Sequence, residues 1–333
     1  MLTLVIIIIF LALLFDFLNG MNDAANSIAT VVSTQVLSPR WAVAWAAFFN
    51  FVAAFGFGVN VAKTIGRGIV DVAIVNEYLI LAALVGAIVW TEFCTRNGLP
   101  ISVSHALIGG LAGAAIAKAG VGSLVVSGLT KVTIFIFLSP LLGLVLGYLL
   151  MVGVMWAARK QPPNKVDRSF RLGQLISSAA FSLGHGTNDA QKTMGIIALV
   201  LYTGGYLGDT FYVPYWVVLA AHLAIATGTY MGGWKVVRTM GMKLTHLRPI
   251  GGFCAETASA AMLLGTAVAG IPVSTTHTIA GAIMGVGATR RVSAVRWGIA
   301  GKIVAAWVLT IPTSAFIAAT MFYLLELLRP LFE

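Results

Sequence analysis

Two short motifs recur in this chain, and both carry the residue types that ion binding requires. Asn22-Asp23-Ala24 returns 166 positions later as Asn188-Asp189-Ala190, and Pro100-Ile101-Ser102-Val103-Ser104-His105 returns 172 positions later as Pro272-Val273-Ser274-Thr275-Thr276-His277. The first motif belongs to a polar run of Asn19, Asn22, Asp23, Asn26 and Thr30, whose spacings of three and four place it on one helical face. His185, Asn188, Asp189, Lys192 and Thr193 repeat that run. Carboxylate, amide and carbonyl oxygens are the hard ligands that alkali and alkaline-earth ions take. Asn22, Asp23, Asn26, Asn188, Asp189 and Gln191 are therefore the candidate cation ligands. Gly20 precedes the first cluster, and Gly184 and Gly186 the second, so each helix is expected to break there and free carbonyls for the ion. A polar packing seam between helices would explain one cluster, but not an acid and an amide duplicated together.

The second motif suits the opposite charge. Proline fits the first turn of a helix, and the residues after it carry backbone amides with no earlier carbonyl to bond. Such an N-terminus attracts an anion, and Ser or Thr hydroxyls add donors. Ser102, Val103, Ser104, Ser274, Thr275 and Thr276 are the candidate anion ligands. The competing reading is ordinary N-capping, which needs no ligand. His105 and His277 close the two motifs, and a role in orienting them is preferred to direct ligation. Lys192 aligns with Asn26 and is expected to pair with a nearby carboxylate, although it is also a cation within reach of an anion. Glu92 and Glu256 lie in apolar sequence and align with Leu264 and Leu84, not with each other. Cation binding, proton relay and helix capping remain open for both.

The elements that hold these residues must cross a membrane. Of 333 residues 59% are hydrophobic and only 10% charged, with a mean hydropathy of +0.94, far above a soluble domain of this length. The net charge of +10 does not indicate a nucleic-acid partner, because the basic residues fall between apolar segments, where they orient loops. Two cysteines inside apolar stretches, Cys94 and Cys254, support neither a disulfide framework nor a thiolate metal site. The apolar start, 2–18, has no basic leader and reads as a retained first helix. Segments long enough to span fall near 2–35 (broken), 41–62, 78–95, 100–117 and 123–157, then 173–202 (broken), 214–233, 250–268, 272–289 and 297–326. The segment 123–157 is too long for one plain span and reads as two helices or one steeply tilted helix. The Gly-rich stretches 109–122 and 281–287 read as close helix packing and not as phosphate loops, since no Walker ending follows.

Loop charge gives the orientation. The segment 158–172 carries Arg159, Lys160, Lys165, Arg168 and Arg171 against Asp167, so it is expected in the cytoplasm as the linker between a first repeat, 1–157, and a second, 173–333. The loop 203–213 has no Lys or Arg and falls outside, whereas 235–248, with Lys235, Arg238, Lys243 and Arg248, falls inside. Five crossings per half then place the N-terminus outside and invert one repeat relative to the other. The expected fold is an all-α polytopic membrane protein of two inverted-topology repeats, with broken first helices and re-entrant helical hairpins.

With those motifs in view the chain resembles the inorganic phosphate transporter (PiT) family of sodium- or proton-coupled phosphate carriers, over nearly its whole length. GMNDAANSIAT at 20–30 and GHGTNDAQKTMGII at 184–197 look like the two family signatures, and GLPISVSHALIGG at 98–110 and GIPVSTTHTIAGA at 270–282 resemble the two hairpins. Glu256, in ETASA, matches a family glutamate associated with phosphate transport. The resemblance implies phosphate held where two hairpins meet, sodium ions beside it, and frequently a homodimer. The chain lacks the long central loop of larger members, and Glu92 is the one residue available to match their first-half glutamate. The expected function is import of phosphate with sodium across the inner (plasma) membrane by alternating access, with no catalysis and no cofactor beyond the coupling ions. Proton coupling or a sulfate substrate is the alternative. A lipid-pyrophosphate phosphatase would want an arginine on the phosphate, and none lies at the expected depth.

Overall fold

A computed structural model describes residues 2–56 and 58–329, so the outermost ends of the two expected repeats, residue 1 and residues 330–333, lie outside the described residues. Twelve α-helices are described, joined by short turns. In chain order they are α1 (Leu2–Ser33), α2 (Pro39–Val52), α3 (Asn60–Gly68), α4 (Glu77–Asn97), α5 (Val103–Ala119), α6 (Val126–Ala158), α7 (Pro163–Thr203), α8 (Tyr215–Met231), α9 (Trp234–Arg238), α10 (Pro249–Val268), α11 (Thr275–Ala288) and α12 (Trp297–Leu328). Helices α1, α4, α6 and α12 are long and apolar enough to cross a membrane individually. They expose large apolar side chains such as Phe10, Phe137, Leu141 and Phe316, as lipid-facing helices must.

Several expectations need correction. Neither α1 nor α7 breaks at its glycines, for each runs as one helix of 32 and 41 residues. The glycines serve close approach instead: a Cβ on Gly20 would stand 2.2 Å from Ile225 O, and one on Gly186 2.6 Å from Asn50 O. The segment expected over 41–62 is interrupted, because α2 gives way to a 3-10 turn at Ala53–Phe55 and α3 restarts at Asn60. The expected linker 158–172 is mostly helix, since Pro163 occupies the first turn of α7 and only a short turn separates it from α6. The expected loop 235–248 contains α9 and a π-helical turn at Thr239–Lys243. Of the two readings of the long segment near 123–157, the structure takes the single helix, α6, carrying Pro140 within it.

The contacts between helices are reciprocal. Helix α5 packs on α12 and α11 on α6, so each hairpin lies against the last helix of the other half, while α1 packs on α8 and α2 on α7. The Gly-rich stretches do what packing requires. A Cβ on Gly113 would meet Ala315 O at 2.1 Å, and one on Gly285 would meet Leu144 O at the same distance. Both are backbone contacts that no side chain can relieve.

Helix α7 also supplies a test of orientation. At 1.5 Å per residue it is about 60 Å long, more than the roughly 40–45 Å of a bilayer with its headgroups. Asn164 at its start and Gly205 just past its end are both exposed. Single cysteines at these positions, in a background lacking Cys94 and Cys254, should therefore label from opposite faces of the membrane, with Asn164 on the cytoplasmic side. Labelling of both from one face would remove the crossing and the orientation argument with it.

Candidate functional site

Each hairpin turns on a glycine and ends in a capped helix. Gly98 closes α4 at φ 69°, and Gly270 follows α10 at φ 67°, a left-handed backbone that other residues rarely adopt. The chain then passes through Pro100 or Pro272 to the first turn of α5 or α11. Ser102 Oγ accepts from His105 N at 3.3 Å, and Ser274 Oγ from His277 N at 3.2 Å. These two serines are therefore N-caps in this structure. The tips meet: Thr276 Oγ1 contacts Ile101 O at 2.9 Å, and the His105 and His277 rings lie edge to face with centroids 4.8 Å apart. Trp307 of α12 stacks on His277 at 3.8 Å and donates to Pro100 O at 3.0 Å. The histidines thus join the two tips and pack them against α12.

The acids of α1 and α7 converge on the α11 tip. Thr275 Oγ1 lies 3.1 Å from both Asp23 Oδ2 and Asp189 Oδ2, and Thr276 Oγ1 lies 3.1 Å from Asp23 Oδ1. A hydroxyl has one proton, so Thr275 can donate to only one of its two carboxylates at a time. His185 Nε2 stands 3.4 Å from Asp189 Oδ2 and 3.7 Å from Asp23 Oδ2, while its Nδ1 faces Asn50 Oδ1 at 3.1 Å. Asp23, His185 and Asp189 each offer an atom within 4.8 Å of the others and are fully buried. Lys192 donates to Asp189 Oδ1, to Ser104 Oγ, and to Val273 O at 3.1 Å. The amides complete the wall. Asn26 Nδ2 donates to Thr276 Oγ1 at 2.9 Å and Asn22 Nδ2 to Thr95 Oγ1 at 2.8 Å, leaving Asn22 Oδ1, Asn26 Oδ1 and Asn188 Oδ1 buried without a protein partner. Unpaired buried oxygens beside two carboxylates are the donor set a hard cation takes up, so these residues fit a sodium-sized ion chemically.

Three candidates fall outside this cluster. Gln191 turns its amide oxygen to the first turn of α3, accepting from Val61 N at 2.8 Å and Ala62 N at 3.2 Å, so it caps a helix and does not face Asp189. Glu92 pairs with Arg96 at 2.5 Å, its side chain 30% exposed, on the outer part of α4. Glu256 is buried but separate. It accepts from Gln174 Nε2 at 3.1 Å and Ser177 Oγ at 2.5 Å, and Gln174 Oε1 in turn accepts from Thr34 Oγ1 at 2.9 Å. Thr34 follows Asp23 by eleven residues, or about 16 Å of helix. One acid was missed: Asp16 on α1 is fully buried, with Asn19 Nδ2 at 3.5 Å from its Oδ1 and no partner for Oδ2. Asn50, Thr95 and Thr229 were missed too, Asn50 Nδ2 donating to Thr229 Oγ1 at 2.9 Å.

An all-helical membrane protein whose enclosed centre joins paired acids to two helix N-termini belongs among the carriers of small ions. Residues 19–318 match the phosphate transporter family, and the chain belongs to that family; it is a phosphate transporter. A protein of Rhizobium meliloti named "Probable low-affinity inorganic phosphate transporter" is 57% identical over 96% of each chain. One of the same name from Bacillus subtilis is 43% identical over 98% of this chain and 99% of its own. Among solved structures, "The sodium-dependent phosphate transporter" superposes with a TM-score of 0.90 at 26% identity, covering 98% of this chain and 99% of that one.

Proposed function

We propose that the chain imports inorganic phosphate together with sodium, as a secondary transporter working by alternating access between two inverted repeats in the plasma membrane, with the N-terminus outside. The observation that carries this reading is the Thr275 bridge between Asp23 and Asp189, which ties one acid from each half to a helix N-terminus. Sodium would be held at the shared centre by Asp23 with the free oxygens of Asn22 and Asn26, and Asp189 and Asn188 would form the opposite wall of that centre. Phosphate would take the Ser104, Thr275 and Thr276 hydroxyls and the free amides at the start of α5 and α11. Few positive side chains are available there, for Lys192 is the only fully buried lysine or arginine among the described residues. Bound cations and helix dipoles must therefore balance the anion. Each ion lowers the cost of bringing the other into a medium of low dielectric, which is a physical basis for coupling. The sodium-dependent structural relative supports the choice of ion.

Proteoliposomes test this directly. Labelled phosphate should accumulate under an inward sodium gradient and not under an inward proton gradient alone, and counterflow should persist without any gradient. Accumulation driven equally well by protons alone would replace sodium as the coupling ion, and a conductance well above carrier turnover would replace the carrier with a pore.

A further inference from the structure

The two halves of the site differ at one aligned position. Asn26 stands three residues beyond Asp23 on α1, and Lys192 three residues beyond Asp189 on α7. On the Asp23 side an amide therefore faces the centre, and the oxygens of Asn22 and Asn26 stay unpaired. On the Asp189 side Asn188 Oδ1 also stays unpaired, but the position of Asn26 is taken by an ammonium that donates to Asp189. We propose that Lys192 is a tethered cation filling the second half's cation position, so that this chain binds one sodium at the shared site, beside Asp23, where two asparagines at this position would bind two. The proposal rests on the sodium-coupled reading above.

The ammonium's partners argue for this role. A lysine ammonium has three donors and no acceptor. Here the three meet a carboxylate, Asp189, a hydroxyl, Ser104, and a backbone carbonyl, Val273. That is the oxygen set a small hard cation takes. All three protons are committed, so none is left for an incoming anion, and Lys192 is not the phosphate's counter-charge. Its contacts also span the site, since Ser104 belongs to the α5 tip and Val273 to the turn before α11. A fixed cation does not travel down a gradient. Each coupled sodium multiplies the attainable phosphate accumulation by the sodium gradient, so a tethered substitute reduces that ratio by one such factor.

The test uses full-length protein, both purified and in proteoliposomes. Wild type should show a sodium Hill coefficient of about one for phosphate uptake, and equilibrium binding of radioactive sodium should saturate at about one ion per chain. Lys192→Asn should raise both to about two, and Asp189→Asn with Lys192→Asn should return both to about one. A wild-type value of about two in both assays would overturn the tethered cation while leaving sodium coupling intact. So would a Lys192→Asn protein that binds no additional sodium. Uptake indifferent to sodium would overturn this proposal and its parent reading together. If Lys192→Asn fails to fold, the wild-type binding count decides alone, and the double variant, which has no unpaired charge, repeats the measurement.

Discussion

Asp189→Asn should abolish gradient-driven uptake and also destabilise the protein, whereas Asp23→Asn should abolish or cripple uptake in a protein that stays folded. The difference lies in what each carboxylate holds. Among the described residues Asp189 is the only anionic partner of the Lys192 ammonium, and both are fully buried. Removing one partner of a buried ion pair leaves an uncompensated charge and costs about 3–5 kcal/mol. In a chain of this size that corresponds to a fall in melting temperature of roughly 5 °C. Asp23 has the Thr275 and Thr276 hydroxyls and His185 around it but no ammonium. An asparagine there keeps an oxygen for one of those hydroxyls and turns an NH2 toward the other, whose oxygen can accept from it, so no buried charge is stranded. Melting in detergent separates the two variants, and adding Lys192→Asn to Asp189→Asn should recover most of the lost stability without restoring wild-type uptake. An Asp189→Asn protein that melts like wild type would mean that the ammonium is not held by Asp189.

The residues that were legible in the sequence are those whose spacing alone fixed their face. Asp23 and Asn26 lie three apart, as do Asp189 and Lys192, so each pair had to share a helical stripe whatever the helices packed against. The same rule counts against Gln191, which is two residues beyond Asp189 and so about 200° around α7; its chemistry suggested a ligand, but its position sends it to α3. Glu92 had a legible partner in Arg96, four residues on, an ordinary helix-surface pair. Asp16 is seven residues before Asp23 and on the same stripe, yet the apolar run around it masked the signal. What spacing could not supply was tertiary. Whether Gly20 and Gly186 unwind a helix or admit a neighbour depends on α8 and α2, which approach them at backbone contact distance. The separate site around Glu256 is likewise assembled from α1, α7 and α10, and no local pattern joins Thr34, Gln174 and Ser177.

The five hydroxyls of the hairpin tips should separate into two groups under substitution. Ser102 and Ser274 spend their oxygens on His105 N and His277 N. Losing such a cap costs about 0.5–2 kcal/mol of stability. Ser102→Ala and Ser274→Ala should accordingly lower the melting temperature by a few degrees while phosphate affinity holds near wild type. Thr275 and Thr276 turn their hydroxyls toward Asp23 and Asp189, and Ser104 accepts from Lys192 while keeping its own proton to donate. In the proposed reading these protons pass to phosphate when it arrives with its sodium. A hydrogen bond to a charged ligand is worth about 1.5–3 kcal/mol, so Thr275→Val, Thr276→Val and Ser104→Ala should each weaken phosphate binding roughly ten- to a hundredfold. Valine keeps the volume of threonine, so packing changes little. Because the two ligands are linked, the same variants should lose part of the gain in sodium affinity that phosphate confers. Calorimetric titration with phosphate at saturating sodium, beside melting curves, reads both quantities. Unchanged affinity in Thr275→Val and Thr276→Val would move the anion away from the α11 tip, and a large loss in Ser102→Ala or Ser274→Ala would show that the capping serines face the ligand after all.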